Sequence, residues 1–177
     1  MDFQVGKNSV VKLGSTSEEV ARRIDIQCGD NCLIDIAGIS RNLDRLVIFM
    51  ADNTVLKVGA GQMMHNSVHI YMHEKSTIEI GEACLFAECD IWSSDMHSII
   101  DVESNKRFNF AENITIGSNV WIGYQALILK GSRVEDGCVI GARSVVTKST
   151  KTKANCLIAG NPARVTRTGI TWDERLL

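Results

Sequence analysis

Proline is nearly absent from this 177-residue chain: Pro162 is the single example, against 14 glycines. Turns must therefore come from glycine and small polar residues, and the one proline marks a place where the chain is redirected. Long apolar runs are missing too, so no segment reaches the about 18 residues that a membrane-spanning helix needs. Nor is there an excess of positive charge. Nineteen Lys and Arg face 21 Asp and Glu, a net charge of −2 with a pI near 6.1, which argues against the basic stripe of a nucleic-acid binder. The opening residues, MDFQVGKNSVVKLGS, lack the basic start and apolar block of a secretory leader, so a cytoplasmic location is expected. None of the six cysteines (Cys28, Cys32, Cys84, Cys89, Cys138 and Cys156) stands in a CxxC pair. Buried reduced thiols are expected, not a metal cluster or a disulfide framework. The length fits one domain with a sizeable core.

What is present is a period of six. Steps from Ile116 reach Ile122, Ile128, Val134, Ile140 and Val146, and the frame resumes at Ile158. Four residues after each aliphatic comes a small or modest side chain: Val120, Ala126, Ser132, Cys138, Ser144 and Thr150, with Cys156 and Pro162 continuing that series. An α-helix repeats near 3.6 residues and a half-buried strand every two, so neither explains the spacing. A six-residue period fits a prism with three flat faces, one hexad per face and a turn at each corner. The aliphatic residue fills the interior and the small one fits the crowded corner. Coils then stack with their strands in parallel, because one coil alone cannot bury its face. Backward, the same frame passes through Phe86, Ile80, Val68 and Leu56, with Trp92 also on it and Ile78, Cys84 and Met96 at the companion position.

Before about residue 50 the frame blurs, although Ile24, Ile26, Leu33, Ile34 and Ile36 read as strand. Residues 15–24, STSEEVARRI, fit either a short capping helix with Ser17 as N-cap or a loop. The end, TWDERLL, reads as a cap or short helix, since solenoid ends need covers. Between His97 and Ile116 the frame positions hold Ser98, Ser104 and Phe110, a poor fit. Segment 98–115 is a degenerate coil or a loop thrown out at a corner, and its central Glu103, Asn105, Lys106 and Arg107 favour the loop. The organisation expected is a capping segment with irregular coils over 1–50, a β-helix over 51–168 and a C-terminal cap over 169–177.

At this point the residues carry a family. The run ITIGSNVWIGYQALILKGSRVEDGCVIGARSVVTK, followed by IAGNPARV, resembles the hexapeptide-repeat acetyltransferases, above all the branch that O-acetylates maltose, galactosides and surface polysaccharides. The upstream IWSSDMHSI resembles the histidine segment of that branch, near its polysaccharide and polysialic-acid members. The resemblance implies an all-β solenoid: a left-handed parallel β-helix of hexapeptide repeats with an extruded loop and short terminal caps. It also implies a homotrimer holding acetyl-CoA in grooves between neighbouring chains, the loop after His97 reaching over a groove, and a sugar or glycan acceptor.

An acetyl thioester is already activated, so transfer to a hydroxyl needs deprotonation, positioning and oxyanion support. Histidine, with an ordinary pKa of about 6.5, suits the first task at neutral pH. His97 is the candidate base. Asp95, two residues earlier and placed on the same side of a strand, is a candidate to orient the imidazole, stabilise the imidazolium or bind an acceptor hydroxyl. Ser94 shares the acceptor role, and Asn105, Lys106 and Arg107 suit an anionic acceptor. By resemblance, Trp121 lies near the thioester, opposite His97 across the interface. Tyr124 and Ala142 would flank the pantetheine arm, Thr147 and Lys148 meet the nucleotide end, and Arg164 and Arg167 hold its phosphates. The cluster Lys148, Lys151, Lys153, Arg164 and Arg167 suits a donor with several negative charges. Tyr124 and Arg143 are bulkier than the family's usual residues there.

His65, His69 and His73, spaced by four, would make a metal ladder on a helix, but in the hexad frame they point different ways, so no metal is expected. A zinc carbonic anhydrase on the same β-helix needs three converging histidines and is the weaker alternative. An N-acetyltransferase of an amino sugar is the nearer one. His97 and Trp121 together speak against a non-catalytic scaffold.

Overall fold

The computed structural model describes residues 2–42 and 44–176. They wind into a left-handed parallel β-helix of about seven coils. The first coil holds β1 (Asp2–Val5), β2 (Val10–Leu13) and the short helix α1 (Glu18–Ala21). Next come β3 (Ile24–Cys28), β4 (Leu33–Ile36) and β5 (Ile39–Asn42), then β6 (Leu46–Met50), β7 (Val55–Val58) and β8 (Gln62–Met64). The fourth coil is β9 (Val68–Met72), β10 (Thr77–Ile80) and β11 (Leu85–Phe86); the fifth is β12 (Cys89–Trp92), β13 (Ile114–Ile116) and β14 (Trp121–Ile122). After β15 (Ala126–Leu129), β16 (Arg133–Val134) and β17 (Val139–Ile140), the last coil runs from β18 (Val145–Val146) to β19 (Cys156–Gly160). The final strand, β20 (Ala163–Thr168), folds back antiparallel on β19.

Stacking the coils makes three sheets. Sheet A is β1-β3-β6-β9-β12-β15-β18, sheet B β2-β4-β7-β10-β13-β16, and sheet C β5-β8-β11-β14-β17-β19-β20. Inside, register aligns like with like. Ile26, Ile48, Ile70, Ile91, Ile128 and Val146 form one ladder on sheet A, and Met64, Phe86, Ile122, Ile140 and Ile158 another on sheet C. All are buried. β-Branched side chains pack well on such pleated, covered surfaces. The small residues stand at the corners as expected, and their hydroxyls also tie coils together. Ser132 Oγ donates to Val146 O at 3.1 Å, and Thr150 Oγ1 to Ala163 O at 3.2 Å. Asparagine supplies many left-handed corners: Asn8, Asn31 and Asn53 hold φ of 57°, 57° and 60° in successive coils. Its short polar side chain tolerates that conformation better than most.

Several expectations shift. Regular coils occupy the N-terminal stretch as well, so the blur there is one of period, not of structure. Ile24 pairs with Leu46 and Leu46 with Val68, whereas Leu127 pairs with Val145. Only the last of these advances equals three hexads; the N-terminal coils are longer. Trp92 and Met96 leave the interior frame, because Ile91 comes early after Phe86, takes the core position and turns Trp92 outward. Pro162 is exposed in the β19–β20 reversal, and Ala163 takes the buried place. Residues 15–24 include the helix: the Ser17 side chain accepts from Val20 N at 3.3 Å, and Val20 turns into the core. Residues 171–176 form no helix; they lie irregularly against sheet C. All six cysteines are buried thiols.

The inward and outward assignments along β12 give a direct test. Ile91→Lys puts a charge in the core and should abolish the cooperative thermal transition followed by circular dichroism. Trp92→Lys, on the outer face, should retain it.

Candidate active site

Ile78 pairs with Leu56 on one side and with the far more distant Ile114 on the other, so 93–113 leaves the coil at the corner between sheets A and B. Glu112 N donates to Ser93 O at 3.1 Å and closes the neck. Beyond it the segment folds as a small hairpin: Asp101 N meets Lys106 O at 2.9 Å, and Ile100 bridges Arg107 in antiparallel fashion. It is a loop, not a coil, and strand resumes at Ile114.

One buried side chain organises it. Asn109 Nδ2 donates to Asp95 Oδ2 at 2.9 Å and to the His97 carbonyl at 2.8 Å. Its Oδ1 accepts from Ile99 N at 2.7 Å and from Arg107 Nε at 3.1 Å. Lys130, from the neighbouring coil, reaches Asp95 Oδ2 at 2.5 Å and Asn109 O at 3.1 Å. Glu74 completes the frame from the coil before, accepting from Ser94 Oγ at 2.9 Å and pairing with Arg107. The backbone bends at Met96, φ 64°, with His97 N donating to Asp95 O at 2.7 Å. His97 is thereby held through its backbone. Its imidazole is exposed and makes no side-chain hydrogen bond among the described residues.

The electrostatics follow the same contacts. Burial works to raise the Asp95 carboxyl, but the Lys130 and Asn109 hydrogen bonds and the nearby cations hold it below the usual carboxylate value. The Arg107 hydrogen bond, aided by Ser94, holds Glu74 down against its burial. Burial pushes the His73 imidazole below its ordinary value, and the charge of His97 adds to that push. His97 therefore lies within electrostatic reach of His73. That ring sits among Phe49 (4.7 Å), Trp92 (6.0 Å) and Tyr71 (6.1 Å), centroid to centroid.

Sheet C carries the other group. Arg41, Met63, Leu85, Trp121, Val139, Leu157 and Arg167 stand in one row across its strands. Beside that row, Ala87, Gly123, Gly141 and Ala159 bring no side chain beyond a methyl. Trp121 faces Trp172 at 6.1 Å, and Trp172 Nε1 donates to Asn119 O at 2.8 Å. Tyr124 and Ala142 lie exposed at the corner between sheets C and A. Thr147 and Lys148 lie at the sheet A–B corner, where Lys148 pairs with Glu112 at 2.7 Å. Arg164 and Arg167 are exposed on β20, with Arg164 Nη1 donating to Ala163 O at 2.9 Å.

Some assignments change on contact with this geometry. Asp95 lies on a bend, not a strand, and its carboxylate serves Lys130 and Asn109 instead of the His97 ring. Ser94 is buried and spends its hydroxyl on Glu74 and Met96 N, so it offers nothing to an acceptor. Arg107 is half-buried, paired with Glu74 and laid over Phe110 at 4.9 Å; it braces the loop. Asn105 and Lys106 do remain exposed near the hairpin tip. His69 and His73 lie on either side of Tyr71, outward from sheet A, because alternate residues share a face along β9 and His73 directly follows it. No three metal-capable side chains converge among the described residues. Asn109, Lys130, Glu74 and Trp172 escape a reading by sequence. Nothing in the spacing marks Asn109, whose burial inside an otherwise exposed loop shows only in three dimensions.

The coil geometry and the corner loop define a left-handed β-helix of hexapeptide repeats, and residues 113–148 match the family of bacterial transferase hexapeptides (six repeats). The polysialic acid O-acetyltransferase of Neisseria meningitidis is 33% identical over 128 residues, 72% of this chain and 58% of that protein. The solved polysialic acid O-acetyltransferase OatWY superposes with a TM-score of 0.74 at 25% identity, covering 100% of this chain and 93% of that one. Galactoside acetyltransferase in complex with coenzyme A gives a TM-score of 0.54 at 27% identity, over 75% of this chain and 65% of that one. The chain spans less than two thirds of the length of the curated relatives it matches.

Asn109→Ala leaves the Ile99 amide and the Asp95 carboxylate short of partners, at a cost of about 1–3 kcal/mol. Amide exchange at Ile99, corrected for intrinsic rates, should lose that protection. The pH dependence has a definite sign. Asp95 and Glu74 have carboxyls depressed by folding, so their contribution is present above the ordinary carboxylate value of about 4 and is lost as pH falls through the lower folded values. Loop protection should therefore persist from neutral pH to about 4 and fall away below it.

Proposed function

We propose that this chain is an acetyl-CoA-dependent O-acetyltransferase acting on a sugar or surface-polysaccharide hydroxyl, with His97 as general base. One observation carries the reading: an exposed imidazole, without a side-chain partner and fixed through its own carbonyl by buried Asn109, in a chain that superposes over its full length on a polysialic acid O-acetyltransferase. In the ternary complex the acceptor hydroxyl gives its proton to His97 as its oxygen attacks the thioester carbonyl. The carbon–sulfur bond then breaks, the acetyl ester forms and the CoA thiolate leaves, taking up a proton. Lys130 holds the Asp95 carboxylate beside the same bend, so Asp95 acts on His97 through backbone position. Acetyl-CoA would lie along sheet C beside Trp121, with Tyr124 and Ala142 at the corner it passes. Exposed Lys148, Arg164 and Arg167 suit its phosphates, with Thr147 next to them.

His97 follows a strand of sheet A, whereas Trp121 opens a strand of sheet C, so their cooperation calls for a second copy. We assign a homotrimer in which the loop of one chain covers sheet C of the next. Two features support it. The loop exposes Ile99, Ile100, Val102, Phe108 and Phe110, an apolar patch of the kind that marks interaction sites. Phe49, Tyr71 and Trp92 form one outer row on sheet A and Met63, Leu85 and Trp121 one on sheet C, while sheet B carries Lys12, Asp35, Lys57 and Glu79. The cytoplasm, which keeps thiols reduced, suits the six buried cysteines.

His97→Ala should lower acceptor-dependent CoA release about a hundredfold or more while leaving the trimer mass by light scattering unchanged. Near-normal turnover would remove His97 from the mechanism. Chains bearing His97→Ala and Trp121→Ala, each inactive alone, should regain activity when unfolded and refolded together. Amino sugars tested beside neutral and acidic sugars decide between O- and N-transfer.

A further inference from the structure

Charge is segregated along this chain. Between Asp136 and Asp173 stand six basic residues and no acidic one, so against a net charge of −2 the remainder carries −8. Ion pairing sharpens the asymmetry. Among the described residues, eight Lys and Arg side chains have no carboxylate partner: Lys7, Lys75 and Lys106 lie scattered, while Arg143, Lys151, Lys153, Arg164 and Arg167 gather on the last coil, its entry corner and β20. The nearest acids are engaged elsewhere. Glu135 pairs with Arg133 at 2.7 Å, and Asp136 accepts from Ser118 N at 2.8 Å. Arg143 leans back along its corner, donating from Nε to Gln125 Oε1 at 3.1 Å. That leaves Lys151, Lys153, Arg164 and Arg167, all exposed, at the C-terminal end of the β-helix.

Edge protection accounts for charge on β20, the last strand of its sheet, because cations there discourage another strand from adding. It does not account for Lys151 and Lys153, which lie on no strand. Lys151 reaches only the Lys148 carbonyl, at 3.4 Å. A basic end on an otherwise acidic body selects the shape of its partner. A flexible polyanion such as a nucleic acid is repelled by the acidic sides it would wrap, whereas a flat anionic surface meets the end alone. Each Lys or Arg near an anionic bilayer strengthens binding about fivefold, and clusters of about four to eight are the size such surfaces hold. We propose that the C-terminal end of the β-helix docks on an anionic lipid surface, through Lys151 and Lys153 with Arg164 and Arg167 beside them. In the trimer, a threefold axis sets three such ends in one plane. This docking needs neither donor nor acceptor, so it stands whether or not the chain transfers acetyl groups.

The test is sedimentation with vesicles of phosphatidylcholine containing about one third phosphatidylglycerol, beside vesicles of phosphatidylcholine alone, at about 0.1 M salt. The protein should sediment with the anionic vesicles and stay in solution with the neutral ones. Raising the salt to about 1 M, where the screening length falls to about 3 Å, should release it. Lys151→Gln combined with Lys153→Gln should weaken the partition about tenfold or more, whereas Lys7→Gln combined with Lys75→Gln should change it less than about twofold. Both double variants lose two charges, so an equal loss in the two overturns the proposal in favour of net charge. Failure to sediment with anionic vesicles overturns it as well, as does equal binding to neutral ones. Release by saturating coenzyme A would give this end to the donor's phosphates and sink the idea. So would a short DNA duplex that binds more tightly than the vesicles and through the same two lysines.

Discussion

Each coil must return beneath its own starting point, because the N–H groups of one coil are satisfied by the carbonyls of the next. A buried backbone group denied its partner costs about 1–3 kcal/mol, and every strand carries several, so this closure condition governs the chain. It permits coils of more than one length, a longer advance from Ile24 to Leu46 and a shorter one from Leu127 to Val145, provided the strands keep register. Residues beyond a coil's needs can leave only at a corner. That is where 93–113 departs, and the Glu112–Ser93 hydrogen bond restores the ladder at its base. The loop is an addition that the solenoid can carry without disturbing its own hydrogen bonds.

Where coils are three equal hexads, the fold is readable from spacing alone: Ile116, Ile122, Ile128, Val134, Ile140, Val146 and Ile158 all lie in the core, as their period predicts. The longer coils break the period without breaking the structure, which hides the N-terminal coils from a reading by sixes. Trp92 falls out of place for the same reason on a smaller scale, one residue being lost at the corner after Phe86. The corner network is less legible still. Asn109, Lys130, Glu74 and Arg107 come from separate coils and the loop, and no local pattern announces that they meet. His97 is legible through resemblance and suitable chemistry; the hydrogen bond to its carbonyl could come only from coordinates.

The outer faces divide the labour. On sheet B, Lys12, Asp35, Lys57 and Glu79 alternate in sign along one row, and opposite charges set across neighbouring strands favour that register while keeping the face wet. Sheet A sets Phe49, Tyr71 and Trp92 in a row, and sheet C sets Met63, Leu85 and Trp121 in another. A solenoid can do this because outward residues are free of the closure condition and vary coil by coil. Chemistry at the corner and recognition on a face can thus change without altering the core ladders beneath them.

The paired indoles on sheet C have a use beyond packing. Trp121 and Trp172 lie 6.1 Å apart with their planes inclined by 49°, close enough for their electronic transitions to couple, and neither parallel nor perpendicular. Such a pair produces a two-signed circular dichroism band whose sign and size follow the angle between the rings. Trp92, on another sheet, stands outside that pair. The Trp121–Trp172 pair therefore acts as an intrinsic optical gauge of small rotations of the C-terminal segment against the β-helix.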